Sequence, residues 1–264
     1  MGIDQLLVIG FIAIFSIASG FIKLLKPSGA FAAFLTGLLV WAGFGLKGLI
    51  LMGVFFLTSS FLSRYKSKVK EQLGEIHEKG SARDWAKAQV AANGGTAAFA
   101  GLGNFLSPDP VWLLVLAISL ASANADTWAS ELGVLSKQQP ISIKSFKRVP
   151  RGTSGAISGF GTAASAAGSL LIALTALLLF GGDPVWVLFV FLFGLAGSLA
   201  DTVLGAYFQA EFKCVHCNVL TEKLTHCSMP TKQVSGFNRM NNDAVNFVSC
   251  FTVAILGMSL YNML

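Results

Sequence analysis

Charge is scarce in this chain. Of 264 residues only 12% are Asp, Glu, Lys or Arg, about half of the roughly 25% that a soluble domain carries. With a hydrophobic fraction of 54% and long uncharged runs, that shortage excludes an ordinary soluble domain and points to a polytopic membrane protein. The first apolar run, 6–21, lacks the small-residue cleavage site of a secretory signal, so it reads as a membrane span. Cysteine is sparse too: there is one Cys-x-x-Cys pair and no second. A stable disulfide is not expected on a reducing cytoplasmic face. The formal charge of +6 does not indicate nucleic acid, because the basic residues fall almost entirely in three loops.

What the chain has in quantity is phenylalanine, with 22 residues, and glycine, with 28. Small-residue clusters of this kind let helices pack closely in lipid. The hydropathy pattern predicts an all-α fold, a single integral-membrane domain over 1–264 with about eight transmembrane helices. The spans are read at about 6–21, 29–44, 49–62, 88–106, 111–125, 153–180, 184–205 and 242–260. Three polar loops, 64–87, 136–152 and 209–239, separate them, the first expected as an amphipathic or solvated helical segment. If these loops share a side with Lys23 and Lys26, every one of the 19 Lys and Arg residues except Lys47 lies there. The positive-inside rule makes that side cytoplasmic and puts both termini outside, the membrane being the plasma membrane if the cell is prokaryotic.

An internal repeat supports this division. Asp109-Pro-Val-Trp112 recurs as Asp183-Pro-Val-Trp186, and Ala125-Asp-Thr127 as Ala200-Asp-Thr202 at nearly the same spacing. The spacing predicts a parallel duplication of helical hairpins, about 88–135 and 153–208, with Asp126 and Asp201 equivalent.

The stretch from Asn124 to Gly133 places Asp126 and Glu131 at the end of a run with no other charge. An ionised group there is expensive in lipid unless it faces a cavity, a partner or a metal. Ser119, Ser122, Asp126, Ser130 and Gly133 share one helix face, whereas Glu131 lies about 140° round from Asp126. The plainer alternative is a helix-packing seam with one satisfied polar group. Asp201 and Gln209 from the seventh span, Asn93 from the fourth, and Asn242, Asp243 and Asn246 from the eighth complete the set. Asp126, Asp201 and Asp243 with these carboxamides are the hard oxygen ligands that magnesium takes, usually along with phosphate oxygens. Lys87, Lys144, Lys147, Arg148 and Arg151 are candidates for clamping phosphate, Arg151 being the best placed. Pro150-Arg-Gly-Thr-Ser-Gly155 is expected to open a helix, with Gly152 and Thr153 presenting N–H groups to an anion. Together these features predict phosphoryl transfer at the membrane surface, where catalysis is positioning and charge neutralisation.

The motifs Gln89-Val-x-x-Asn-Gly-Gly95, Ala125-Asp-Thr-x-Ala-Ser-Glu-Leu-Gly133, Val149-Pro-Arg-Gly-Thr-Ser-Gly155, Asp201-Thr-x-x-Gly205 and Asn242-Asp-x-Val-Asn246 carry a family resemblance. They resemble an integral-membrane family typified by the phytyl-phosphate kinase of chloroplasts. The Asp-Thr-x-Ala-Ser stretch followed by a basic loop is also similar to a segment of the CTP-dependent dolichol and phytol kinases, although Ala125 stands where those carry Gly. The resemblance implies a kinase that converts an isoprenyl monophosphate into the diphosphate with a nucleoside triphosphate, CTP or ATP. It gives Asp126, Asp201 and Asp243 the role of holding magnesium or orienting the acceptor, with Glu131 assisting as ligand or base. The apolar spans would receive the isoprenoid tail from the membrane lipids. Two alternatives stay open: a small transporter or lipid flippase, and a lipid-phosphate cytidylyltransferase. Separately, Cys214, Cys217 and Cys227 with either His216 or His226 make a candidate zinc site.

Overall fold

Asp109 and Asp183 each precede a proline, and each starts a helix. The Asp109 carboxylate accepts from the Val111 N–H and that of Asp183 from the Trp186 N–H, both at 2.8 Å. Proline at the first helical position gives up an N–H that would have had no partner in any case. The structure of the chain, a computed structural model, describes residues 3–74, 87–261 and 263, with 71–74 and 87 described by backbone alone. The helices are α1 (Ile3–Phe21), α2 (Pro27–Arg64), α3 (Ser67–Gly74), α4 (Lys87–Leu106), α5 (Pro110–Gly133), α6 (Gly159–Phe180), α7 (Pro184–Tyr207) and α8 (Asn242–Tyr261). The all-α membrane architecture expected from hydropathy is the one observed.

The expected second and third spans are the two arms of α2. Gly45 sits at φ 61°, ψ −153°, outside helical geometry and in a region that favours glycine. A straight helix would separate the start and end of α2 by roughly 57 Å. Yet Arg64 at its end donates to the carbonyls of Ile22 at 2.7 Å and Lys23 at 2.5 Å, just before its start. α2 is therefore a helical hairpin turned at Gly45, and each arm is about 27 Å long, enough to cross the hydrocarbon. By length and composition α1, α2, α5, α6, α7 and α8 can span a membrane. α4 is less apolar, and it packs on α2, α5 and α8.

α5 is the centre of the bundle. It packs against α2, α4, α6, α7 and α8, and every residue from Leu114 to Ala125 is buried. Large apolar side chains such as Phe31, Phe61, Phe105, Leu178 and Leu188 face outward, as lipid contact requires. The hairpin turns gather at one end, where Asn104 donates to the Gly43 carbonyl at 2.7 Å and Lys47 lies 5.8 Å from the Phe180 ring. Lys23, Arg64, Lys70 and the loops after α5 and α7 gather at the other.

Two expectations about those loops are corrected. The sixth helix does not begin at 153. Gly152 and Gly155 have φ of 82° and 68°, so the chain first forms a two-stranded hairpin, β1 (Ile141–Ser142) with β2 (Ala156–Ile157). Ser158 then caps α6 by accepting from the Gly161 N–H. The 209–239 segment is an antiparallel sheet of β3 (Glu211–Cys214), β4 (Leu220–Thr221), β5 (Thr225–His226) and β6 (Met229–Ser235), in the order β4-β3-β6-β5. Buried Phe212 and Cys214 alternate with exposed Lys213, the period of a one-sided strand. In the 64–87 loop α3 is helical as expected, and 75–86, with His77, lies outside the described residues.

Asn124 holds three helices together from within α5. It is fully buried; its carbonyl accepts from Thr58 and Ser59 of α2, and its amide donates to Gly168 O of α6 at 2.8 Å. Replacement by leucine is expected to destabilise the bundle by about 1–3 kcal/mol, since bonds between membrane helices contribute roughly 0.6 kcal/mol each and up to about 1.7. A thermal melt in detergent reads this directly. A melting temperature equal to wild type would show that the three helices associate without that side chain.

Candidate functional site

α5, α7 and α8 each bring a polar residue to one cavity. It is lined by Asp126 and Glu131 of α5, Asp201 of α7, Asn242 and Asn246 of α8, and Gln89 and Asn93 of α4. The Gly152–Ser154 loop and the first turns of α6, with Ser158, Gly161, Thr162 and Ser165, form a further wall. Those α6 turns direct the positive end of the helix dipole at the cavity. Asp126 lies sixteen residues after Pro110 and Asp201 seventeen after Pro184. On 24-residue helices both carboxylates are therefore well past the midpoint, toward the end that carries the basic loops.

The carboxylates are held by neighbours rather than left to rotate. Ser249 Oγ donates to Asp201 Oδ2 at 3.3 Å. With its amide nitrogen facing inward, Asn246 donates to the same oxygen at 2.8 Å and to the Asn242 carbonyl at 3.1 Å. That orientation is assigned because it satisfies both neighbours. Glu131 has a different environment. Its Oε2 lies 2.7 Å from Lys70 Nζ, with side-chain exposures of 15% and 3%, and its Oε1 accepts from Ser63 at 2.8 Å. Glu131 thus lines the cavity as half of an ion pair between α5 and α3, not as a separate carboxylate.

A second cavity shares Gly152, Thr153 and Ser154 with the first. Lys144, Gln209, Glu211, Thr221, Glu222, Lys223 and Ser235 are among its other lining residues. Ser154 donates to the buried Gln209 at 3.0 Å, across the boundary between loop and sheet. The backbone of Gly155 presses against Ala206, whose Cβ would meet any side chain at that position. A third cavity, about 390 Å³, is almost wholly apolar and lies among α1, the arms of α2, and Val90 and Gly94 of α4. Gln89 and Asn93, the neighbours of Val90 and Gly94, face the polar cavity.

Of the residues singled out from sequence, Asp126, Glu131, Asp201, Asn93, Gly152, Thr153, Asn242 and Asn246 meet at the first cavity, and Lys144 and Gln209 at the second. Asp243 lines neither; it lies in the first turn of α8, where a negative charge complements the helix dipole. Arg151 and Arg148 line neither cavity as well. The expected best clamp, Arg151, instead donates to the Lys137 carbonyl at 2.9 Å, which pins the loop. The Lys87 side chain lies outside the described residues. Lys70, Ser63, Ser154 and Lys223 were not picked out by sequence. Lys70 is one of seven basic residues in its segment, and only the fold distinguishes it.

The cysteine loop resolves in favour of His226. Cys214, Cys217, His226 and Cys227 place their ligand atoms within 4.8 Å of one another, whereas His216 is exposed and does not belong to the group. The Cys214 thiol is pulled down to about 6, chiefly by the Cys217 backbone N–H beside it. Cys227 is pushed up to about 11 by its contact with the Cys217 sulfur.

A family model described as "Integral membrane protein DUF92" matches residues 9–254. The chain is 32% identical to Protein PGR of Arabidopsis thaliana over 89% of this chain and 88% of that one. It is 33% identical to the uncharacterized membrane protein sll0875 of Synechocystis, over 72% and 74% of the two chains. It is 26% identical to Protein VTE6, chloroplastic, of Arabidopsis thaliana, over 85% of this chain and 62% of that one. No solved structure matches.

The Lys70–Glu131 pair generates a stability test. Glu131→Gln or Lys70→Met alone leaves one charge buried without its partner and is expected to cost about 3–5 kcal/mol. The double variant should recover most of that loss. A double variant no more stable than the singles would mean that the two side chains do not act as a pair.

Proposed function

The chain belongs to the DUF92 family of integral membrane proteins, and on that premise we propose that it is a membrane-embedded isoprenoid-phosphate kinase. It transfers the γ-phosphoryl group of CTP or ATP to an isoprenyl monophosphate. The observation that carries the reading is α4, which has one face on the carboxylate cavity and the adjacent face on an apolar cavity. An amphiphile with a phosphate head and a hydrocarbon tail suits both at once. At about 390 Å³ the apolar cavity falls within the usual range for ligand pockets.

In this reading the acceptor phosphate enters the first cavity and the nucleotide phosphates the second, with Gly152–Ser154 between them. An oxygen of the acceptor phosphate attacks the γ-phosphorus in line, the bond to the bridging oxygen breaks, and the nucleoside diphosphate leaves. A monophosphate is already anionic, so no strong general base is required. Asp126 and Asp201, with the Asn242 carboxamide, are hard oxygen donors lining one cavity, a set that fits magnesium. The ion would neutralise charge on the phosphates. Asn246 and Ser249 orient Asp201 for that role, Lys144 and Lys223 meet the nucleotide phosphates, and Lys70 with Glu131 fixes α3 over the site. The end bearing the basic loops faces the cytoplasm by the positive-inside rule, with both termini outside.

A transporter would place its charged groups near the bilayer midplane. Asp126 and Asp201 lie roughly 24–26 Å along helices that begin at the opposite end, which favours surface chemistry. The test uses purified protein in detergent with magnesium, γ-labelled CTP or ATP, and isoprenyl monophosphates of several tail lengths. Labelled diphosphate is expected, lost by about 10²–10³-fold or more in Asp126→Ala and Asp201→Ala. Release of pyrophosphate would indicate a cytidylyltransferase. No transfer from either nucleotide by folded protein would overturn the kinase reading and favour transport.

A further inference from the structure

We propose that Cys214, Cys217, His226 and Cys227 bind a structural zinc ion that clamps the cytoplasmic sheet. The ligands come from two turns of similar form. One joins β3 to β4, with Asn218 at φ 60°; the other joins β5 to β6, with Cys227 and Ser228 at φ 51° and 60°. In the first, the His216 N–H points at the Cys214 sulfur at 3.4 Å, and backbone bonds from Cys214 to Val219 O and from Asn218 to Cys214 O close the turn. In the second, His226 Nδ1 is 3.3 Å from the sulfurs of both Cys217 and Cys227. A tetrahedral zinc with bonds of about 2.3 Å to sulfur and 2.0–2.1 Å to nitrogen needs its ligand atoms roughly 3.5–3.8 Å apart. Four atoms already within 4.8 Å of one another need only small side-chain adjustments. Three thiols and one imidazole are the soft donor set that zinc takes in structural sites.

The sheet also needs such a clamp. Between Glu211 and Ser235 only Phe212, Cys214 and Thr221 are buried, too few to hold four short strands together by apolar burial. An ion bridging both turns would supply what the core does not, since ligand binding to a site absent from the unfolded chain is folding free energy. Its position gives it a second consequence, which rests on the kinase reading. Glu211, Thr221, Glu222, Lys223 and Ser235 form one wall of the cavity assigned to the nucleotide, so the ion would fix that wall.

Metal content tests the site independently of any activity. Protein purified without chelators is expected to carry about one zinc per chain by elemental analysis, bound through the four ligands. Exchange with cobalt should yield the thiolate-to-metal charge-transfer bands and d–d spectrum of a tetrahedral sulfur-rich site. Cys217→Ser combined with Cys227→Ser should abolish both signals, whereas His216→Ala should leave both unchanged. Folded wild-type protein that carries no zinc and takes up no cobalt would overturn the proposal, as would metal retained in the double serine variant. Loss of metal in His216→Ala with retention in His226→Ala would overturn the ligand assignment. If zinc is present at full occupancy but nucleotide does not bind, the metal site stands and the kinase reading fails.

Discussion

A helix enclosed on all sides by other helices in a bilayer has no water with which to satisfy its polar side chains. α5 is in that position, and the arrangement around it follows from the requirement. Asn124 takes its partners from α2 and α6, Ser122 meets Cys250 of α8, and Glu131 takes Lys70 of α3 and Ser63 of α2. Between them these polar residues fix the registers of α2, α3, α6 and α8, because sliding a neighbour by one turn would strand its partner. Apolar packing alone does not distinguish such registers in lipid, where the tails are as apolar as leucine.

The two ends of the bundle divide the work. At the end without basic loops the chain turns quickly, through Gly45, through Asp-Pro before α5, and through Asp-Pro before α7. At the other end it spends long segments: a short helix, a two-stranded hairpin and a four-stranded sheet. The charged residues of α5 and α7 lie toward that second end, so a cavity can open between helix ends and loops without exposing carboxylates to lipid.

Much of this was legible in the sequence. The spans, the charge asymmetry of the loops and the meeting of Asp126 with Asp201 all rest on hydropathy and on short matched motifs, which survive folding unchanged. The internal duplication is a reading of the same motifs. The structure gives its two capping aspartates equivalent roles at the starts of two 24-residue helices. What was not legible depends on residues distant in sequence. Lys70 differs from its basic neighbours only because α3 folds over Glu131, and Arg151 only because the Lys137 carbonyl lies within reach. The sheet could have been suspected from the alternation around Phe212 and Cys214, but its strands are two to seven residues long, short enough to read as loop.

The formal charge of the first cavity bears on what enters it. Among the described residues, Asp126, Glu131 and Asp201 are its acidic lining and Lys70 its one basic lining residue. Lys70 is committed to Glu131, and Asp201 accepts from Ser249 and Asn246. On the kinase reading, a lining of this kind disfavours a bare phosphate and favours a divalent cation, so a phosphate would enter with the cation or after it. The second cavity has Lys144 and Lys223 against Glu211 and Glu222 and is formally neutral, so it presents no such barrier. An anion approaching through the basic loops would therefore meet the second cavity as the less repulsive of the two. On the kinase reading the first cavity would take its phosphate together with a metal ion, an order of assembly set by the charges rather than by any moving part.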